Sequence, residues 1–133
     1  MIRITHDSFD IGALTQEAIR PEMGAIVTFF GTVRDDGIRC IDLEAYEEVA
    51  ARELAQLRDE AMERFDIKSV DIIHRIGRLD IKDPIVCILV GAAHRKAAFE
   101  ACEFIIDRIK ETVPIWKKEL LADGSRWVTG EHE

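Results

Sequence analysis

Several features that would narrow the function of this 133-residue chain are scarce in it. No apolar run approaches the roughly 20 residues needed to span a bilayer. The opening "MIRITHDSFD" lacks the charged start and apolar stretch of a signal peptide. No membrane association is therefore expected, and the location expected is the cytoplasm. Cysteine is sparse: Cys40, Cys87 and Cys102 are odd in number, widely spaced and set among apolar neighbours, which suits buried thiols in a reducing compartment better than a disulfide framework. Basic residues are also short, 18 against 26 acidic, for a formal net charge of -8. Such a balance argues against nucleic acid as a partner, because general binders displace counterions with a broad cationic face. Repeats, low-complexity stretches and Pro/Gly/Ser-rich linkers are missing too, and with 47% hydrophobic residues the chain can bury one core but hardly two, so residues 1–133 are expected to form a single domain. There is no Ser/His/Asp order, CxxC pair, HExxH or P-loop, which leaves metal sites and covalent serine or cysteine chemistry with little support. No cofactor is expected.

What is present reads as alternating strands and helices. "MIRIT" alternates as a strand, and in "FDIGALTQEAIR" Ile11, Leu14 and Ala18 fall at helical spacing, with a stop expected near Pro21. "MGAIVTFFGTV" and "CIDLEAYE" read as strands joined by the turn "RDDGIR", a strand, loop, strand unit. From Glu47 to Phe65, one helical face carries Ala50, Leu54, Leu57, Ala61 and Phe65. "SVDIIHRIG" predicts a strand with Val70, Ile72, His74 and Ile76 on one side, and the continuous apolar "PIVCILVGAA" predicts a central strand covered on both faces. The next helix has Phe99, Cys102, Ile106 and Ile109 as its expected stripe and ends before Pro114; "IWKKELL", "ADGS" and "RWVTG" then form a hairpin. The expectation is an α+β fold, two main helices on a largely antiparallel sheet.

Cations gather in this acidic chain around its last helix. His94 and Arg95 should open that helix, where free N–H groups and the positive dipole end attract a phosphate or carboxylate; solvated residues at a helix start are the ordinary alternative. Lys110 lies near the helix's other end, where the dipole alone favours a cation. Alternation sends Lys117 and Lys118 to opposite faces, so one can meet a cleft while the other meets water or guards a sheet edge. The same alternation separates His74 from Arg75, a pair better suited to structure. Arg34 follows a strand and precedes a flexible turn, with Gly31 permitting close backbone approach. It can hold an anion in bidentate fashion or pair with Asp35 or Asp36.

Taken in order, "GAIVTFFGTVR", "LEAYEEVA", "HRIGRL", "AHRKAAFEA", Ile109-Lys110, "VPIWKKE" and "GSRWV" resemble the large, catalytic subunit of molybdopterin synthase, the MoaE family, over almost the whole chain. The resemblance implies an α/β hammerhead fold and a central homodimer within a heterotetramer, with a small ubiquitin-like subunit at each outer end. It implies that this partner's C-terminal Gly-Gly thiocarboxylate enters a pocket and gives sulfur to cyclic pyranopterin monophosphate, two transfers making the dithiolene. Carried over by position, the pocket residues are Phe29, Arg34, His94, Arg95, Lys110 and Lys117, with Lys110 and Lys117 as catalytic candidates. A lysine crowded by other cations would have its charged form disfavoured, and so be suited to proton transfer. Two departures stand out: the turn between Arg34 and Cys40 is short, and the tail "TGEHE" lacks a basic residue that some relatives place there. A non-enzymatic module holding a phosphorylated metabolite through Arg34, His94 and Arg95, and a scaffold that merely dimerises and docks the small subunit, are the competing readings.

Overall fold

The computed structural model of the chain describes residues 1–128. Strand β1 (Ile2–Thr5) leads to helix α1 (Ile11–Ala18), then to β2 (Ala25–Thr32), β3 (Cys40–Ala45) and α2 (Glu47–Arg64). Strands β4 (Ser69–Arg75), β5 (Gly77–Asp80) and β6 (Pro84–Ala92) precede α3 (Arg95–Thr112) and the hairpin of β7 (Ile115–Leu121) and β8 (Gly124–Val128). The fold is α+β, but its strands form two four-stranded sheets where one was expected, in the orders β1-β4-β6-β2 and β5-β3-β7-β8. Among the described residues every pairing is antiparallel except β1 with β4. Thr129 and Gly130 of the expected last strand, and the rest of the "TGEHE" tail, lie outside the described residues.

The strand, loop, strand unit is the main point of difference. Both strands form, yet β2 pairs with β6 whereas β3 pairs with β5 and β7, so the turn crosses from one sheet to the other. Backbone bonds fasten both ends of the crossing, Val33 N–H to the Asp83 carbonyl and Arg39 N–H to the Leu120 carbonyl, and Val33 and Ile38 are buried beside them. Strand β5 was not expected, because four residues, one of them Gly77 at φ +94, are too few for alternation to register.

Helix α1 starts at Asp10, whose carboxylate caps the Ala13 N–H, and ends at Ala18, before the helix-disfavouring residue that precedes Pro21. Helix α2 buries Ala50, Leu54, Leu57 and Ala61, as its spacing predicts. The stripe of α3 is different: Ala98, Ala101, Cys102, Ile105 and Ile109 are buried, while Phe99 is 60% exposed and Ile106 only partly covered. The small alanines let the helix lie close to the sheet, so the inward face follows spacing and not side-chain size. Helix α3 packs on β6 and β2, α2 packs on β1 and β4, and α1 contacts β6 from the other side. Every residue of β6 after Pro84 is consequently buried, which explains its unbroken apolar run. Fully burying a side chain such as Ile72, Ile88 or Leu54 contributes about 1.5–3 kcal/mol. His74 and Arg75 fall to opposite faces, and Arg75 donates to the carbonyls of His6 and Pro84, a structural task.

Candidate active site

A cavity of about 320 Å³ opens where the two sheets meet. Sheet one supplies Phe29, Gly31, Thr32 and Ile85; the crossing segment supplies Arg34, Asp36 and Ile38; sheet two supplies Ile41, Lys117 and Glu119. Each side chain has a local reason to be there. A Cβ on Gly31 would sit 3.2 Å from the Phe29 ring and 2.9 Å from Val86 Cγ1, so the glycine leaves room for the ring to fold over the strand. Register places Lys117 opposite Leu43 and Glu119 opposite Ile41, on the inward face of β7. Lys118 takes the other face, where its Nζ lies 5.0 Å from the centroid of the Trp127 ring, a cation–π contact.

The charges in the cavity are nearly balanced. Arg34 Nε donates to both carboxylate oxygens of Asp36, at 3.0 Å each. Glu119 is buried and accepts from Arg126 Nε at 2.7 Å across the β7–β8 pair. The sequence names Asp36 only as one of two possible partners of Arg34, and Glu119 not at all. Glu119 could have been named, since alternation puts it on the face of Lys117; the choice of Asp36 over Asp35 as partner of Arg34 needed the turn geometry.

Phe29, Arg34 and Lys117 thus converge, and the other candidates lie elsewhere on this chain. His94 is the N-cap of α3 with extended backbone and no side-chain capping bond, Arg95 begins the helix, and both are exposed. At about 3.3 Å per residue, β6 separates this end from the cavity by roughly 20–25 Å. Helix α3 then runs back alongside β6 and β2. Half-buried Lys110, two turns beyond Cys102, is thereby returned toward the cavity without lining it.

All three cysteines are buried and none lines the cavity. Burial pushes the Cys87 thiol up to about 11, helped by Cys102 and Asp71, and pushes Cys102 to about 11 against the lowering effect of the Phe29 backbone. Both stay protonated at neutral pH and are poor nucleophiles. A separate concavity on the outer face of the second sheet is lined by Glu44, Tyr46, Trp116 and Trp127, aromatics whose exposure the sequence pattern did not reveal.

Fold and cavity define an α+β protein with a charged recess at the seam of two sheets and no reactive thiol within it. The family model described as "MoaE protein" matches residues 4–112, and the chain belongs to the MoaE family. It is 44% identical to a molybdopterin synthase catalytic subunit of Ralstonia nicotianae, over 96% of this chain and 76% of that protein. To the protein of the same name from Bacillus subtilis it is 45% identical, over 98% of this chain and 85% of the relative. The crystal structure of molybdopterin synthase from Staphylococcus aureus superposes with a TM-score of 0.90 at 40% identity, covering 96% of each chain.

Proposed function

We propose that this chain is the catalytic subunit of a molybdopterin synthase, a sulfurtransferase acting in molybdenum cofactor biosynthesis. Its substrate in this reading is cyclic pyranopterin monophosphate, and the sulfur arrives as the C-terminal thiocarboxylate of a small ubiquitin-like subunit. The observation that carries the proposal is the convergence of Phe29, Arg34 and Lys117 on one cavity from which every cysteine is absent. A recess with cations and no available thiolate suits a reaction whose sulfur comes from a partner. Each transfer forms a carbon–sulfur bond to the pterin and, with water, leaves the partner's terminus as a carboxylate.

In this mechanism Arg34 holds an anionic group of the substrate, and Phe29 packs against its apolar part. Lys117 offsets negative charge as the cyclic phosphate opens and is placed to move a proton. Preorganised cations act most strongly where charge grows in the transition state. Lys110 is proposed for the same anionic ligands, whereas His94 and Arg95, at the far end of β6 on this chain, would reach them only from the other copy in the proposed homodimer. The functional unit proposed is one domain over 1–133, paired as a homodimer with a small subunit at each end, working in the cytoplasm. Among the described residues no helix is long and apolar enough to cross a membrane.

The test is turnover with a thiocarboxylated small subunit and cyclic pyranopterin monophosphate, scored by dithiolene formation and by loss of the thiocarboxylate. Product is expected in both assays. A folded, partner-bound sample that consumes no thiocarboxylate overturns the proposal.

A further inference from the structure

The Arg34–Asp36 contact lies at the cavity that the proposed reaction uses. Both residues line it, their side chains are 62% and 42% exposed, and they sit on a turn whose two ends are pinned by buried Val33 and Ile38. The turn itself is set by Gly37 at φ +76, whose N–H is held by the Asp35 carboxylate at 3.2 Å. Asp36 is therefore presented to Arg34 by a shaped segment, and its carboxylate is an anion already docked on a guanidinium. The contact with Asp36 is a three-centre one from Nε to both carboxylate oxygens. Two parallel N–H···O bonds, which a phosphate can accept from the same guanidinium, are the stronger geometry.

We propose that Asp36 is a built-in competitor for Arg34: it occupies the guanidinium while the site is empty and must be displaced when an anionic ligand binds. The inference rests on the reading that the cavity takes a phosphate-bearing substrate, and it adds a residue that sets how strongly that substrate must bind. A tethered carboxylate also fills the guanidinium against small ions, so the empty site is guarded from chloride. An exposed pair of this kind is weak, so displacing it costs the ligand about twofold to fivefold in apparent affinity.

Two measurements test this. In the first, the side-chain Nε–H resonance of Arg34 is followed by NMR during titration with inorganic phosphate, for wild type and Asp36→Asn. The half-saturating phosphate concentration should be about twofold to fivefold lower in the variant at low salt, with the gap closing as salt screens the pair and chloride competes. In the second, the complex with thiocarboxylated partner is assayed for KM and kcat toward cyclic pyranopterin monophosphate in Asp36→Asn, Arg34→Ala and the double variant. KM should fall in Asp36→Asn without a rise in kcat, and most of that fall should vanish when Arg34 is already alanine. If Asp36 instead serves to position Arg34, Asp36→Asn weakens phosphate binding and raises KM, and the proposal is wrong. An equal fall in KM with and without Arg34 also overturns it. Should wild type form no product at all, the proposed function fails while the phosphate titration still decides this inference.

Discussion

Lys117 and Lys118 have the same chemistry, the same charge and adjacent places in the chain, so only geometry can give them different roles. Lys117 faces the cavity with Glu119, and Lys118 lies over Trp127 on the outer face. Lys117→Ala is expected to lose about 10² in single-turnover sulfur transfer at saturating partner while the fold and partner binding are kept. Lys110→Ala, on the helix that returns to the cavity end, is expected to lose most turnover as well. Lys118→Ala should stay near the wild-type rate and cost about 0.5–1 kcal/mol of stability through the lost cation–π contact. Equal losses of rate at positions 117 and 118 would deprive the cavity of its claim to the chemistry. Alternation in "IWKKE" made the opposite facing of the two lysines legible from sequence. The pairing of Arg34 with Asp36 was open between two neighbouring aspartates until the turn around Gly37 was known.

At the scale of elements, β2 is held by two close approaches that its β-branched and aromatic residues do not advertise. Gly24 donates to the Ala92 carbonyl, and a Cβ there would lie 2.4 Å from the Ala93 carbonyl oxygen. At Gly31 the obstacles are side chains, Val86 and Phe29, beside the register shift that ends the strand. Backbone yields less than side chains do, so Gly24→Ala is expected to destabilise by about 3 kcal/mol and Gly31→Ala by about 1–2 kcal/mol. Only Gly31→Ala should also raise KM for the pterin, since it pushes the Phe29 ring toward the cavity. Denaturant unfolding of both variants, with KM measured beside it, checks the order. If Gly31→Ala proves the more destabilising, the contacts at the start of β2 are less rigid than argued. The shifted stripe of α3 shows a similar limit of sequence reading: large apolar residues suggested Phe99, and the flat sheet accepted Ala98 and Ala101.

For the whole molecule, the proposed reaction requires a chain of net charge -8 to receive anionic ligands, and the seam cavity offers Arg34 and Lys117 for that task, set against Asp36 and Glu119. An extended partner tail ending there would gain backbone hydrogen bonds and a charged terminus. Removing the terminal Gly-Gly from the small subunit is therefore expected to weaken its binding by about tenfold or more, measured by calorimetry. Equal affinity for the full and shortened partners would place the docking energy elsewhere. The sequence alone determined the three helices, most of the strands, the buried thiols and the family, because hydrophobic period, proline and turn residues act over a few neighbours. The tertiary structure decided that the strands divide between two sheets, that Arg34 and Lys117 meet at their seam, and that His94 and Arg95 stand at the far end of β6 on this chain. Those outcomes depend on which strands pair across long stretches of sequence, and hydrogen bonds between backbones carry no residue-specific signature from which such pairing can be read.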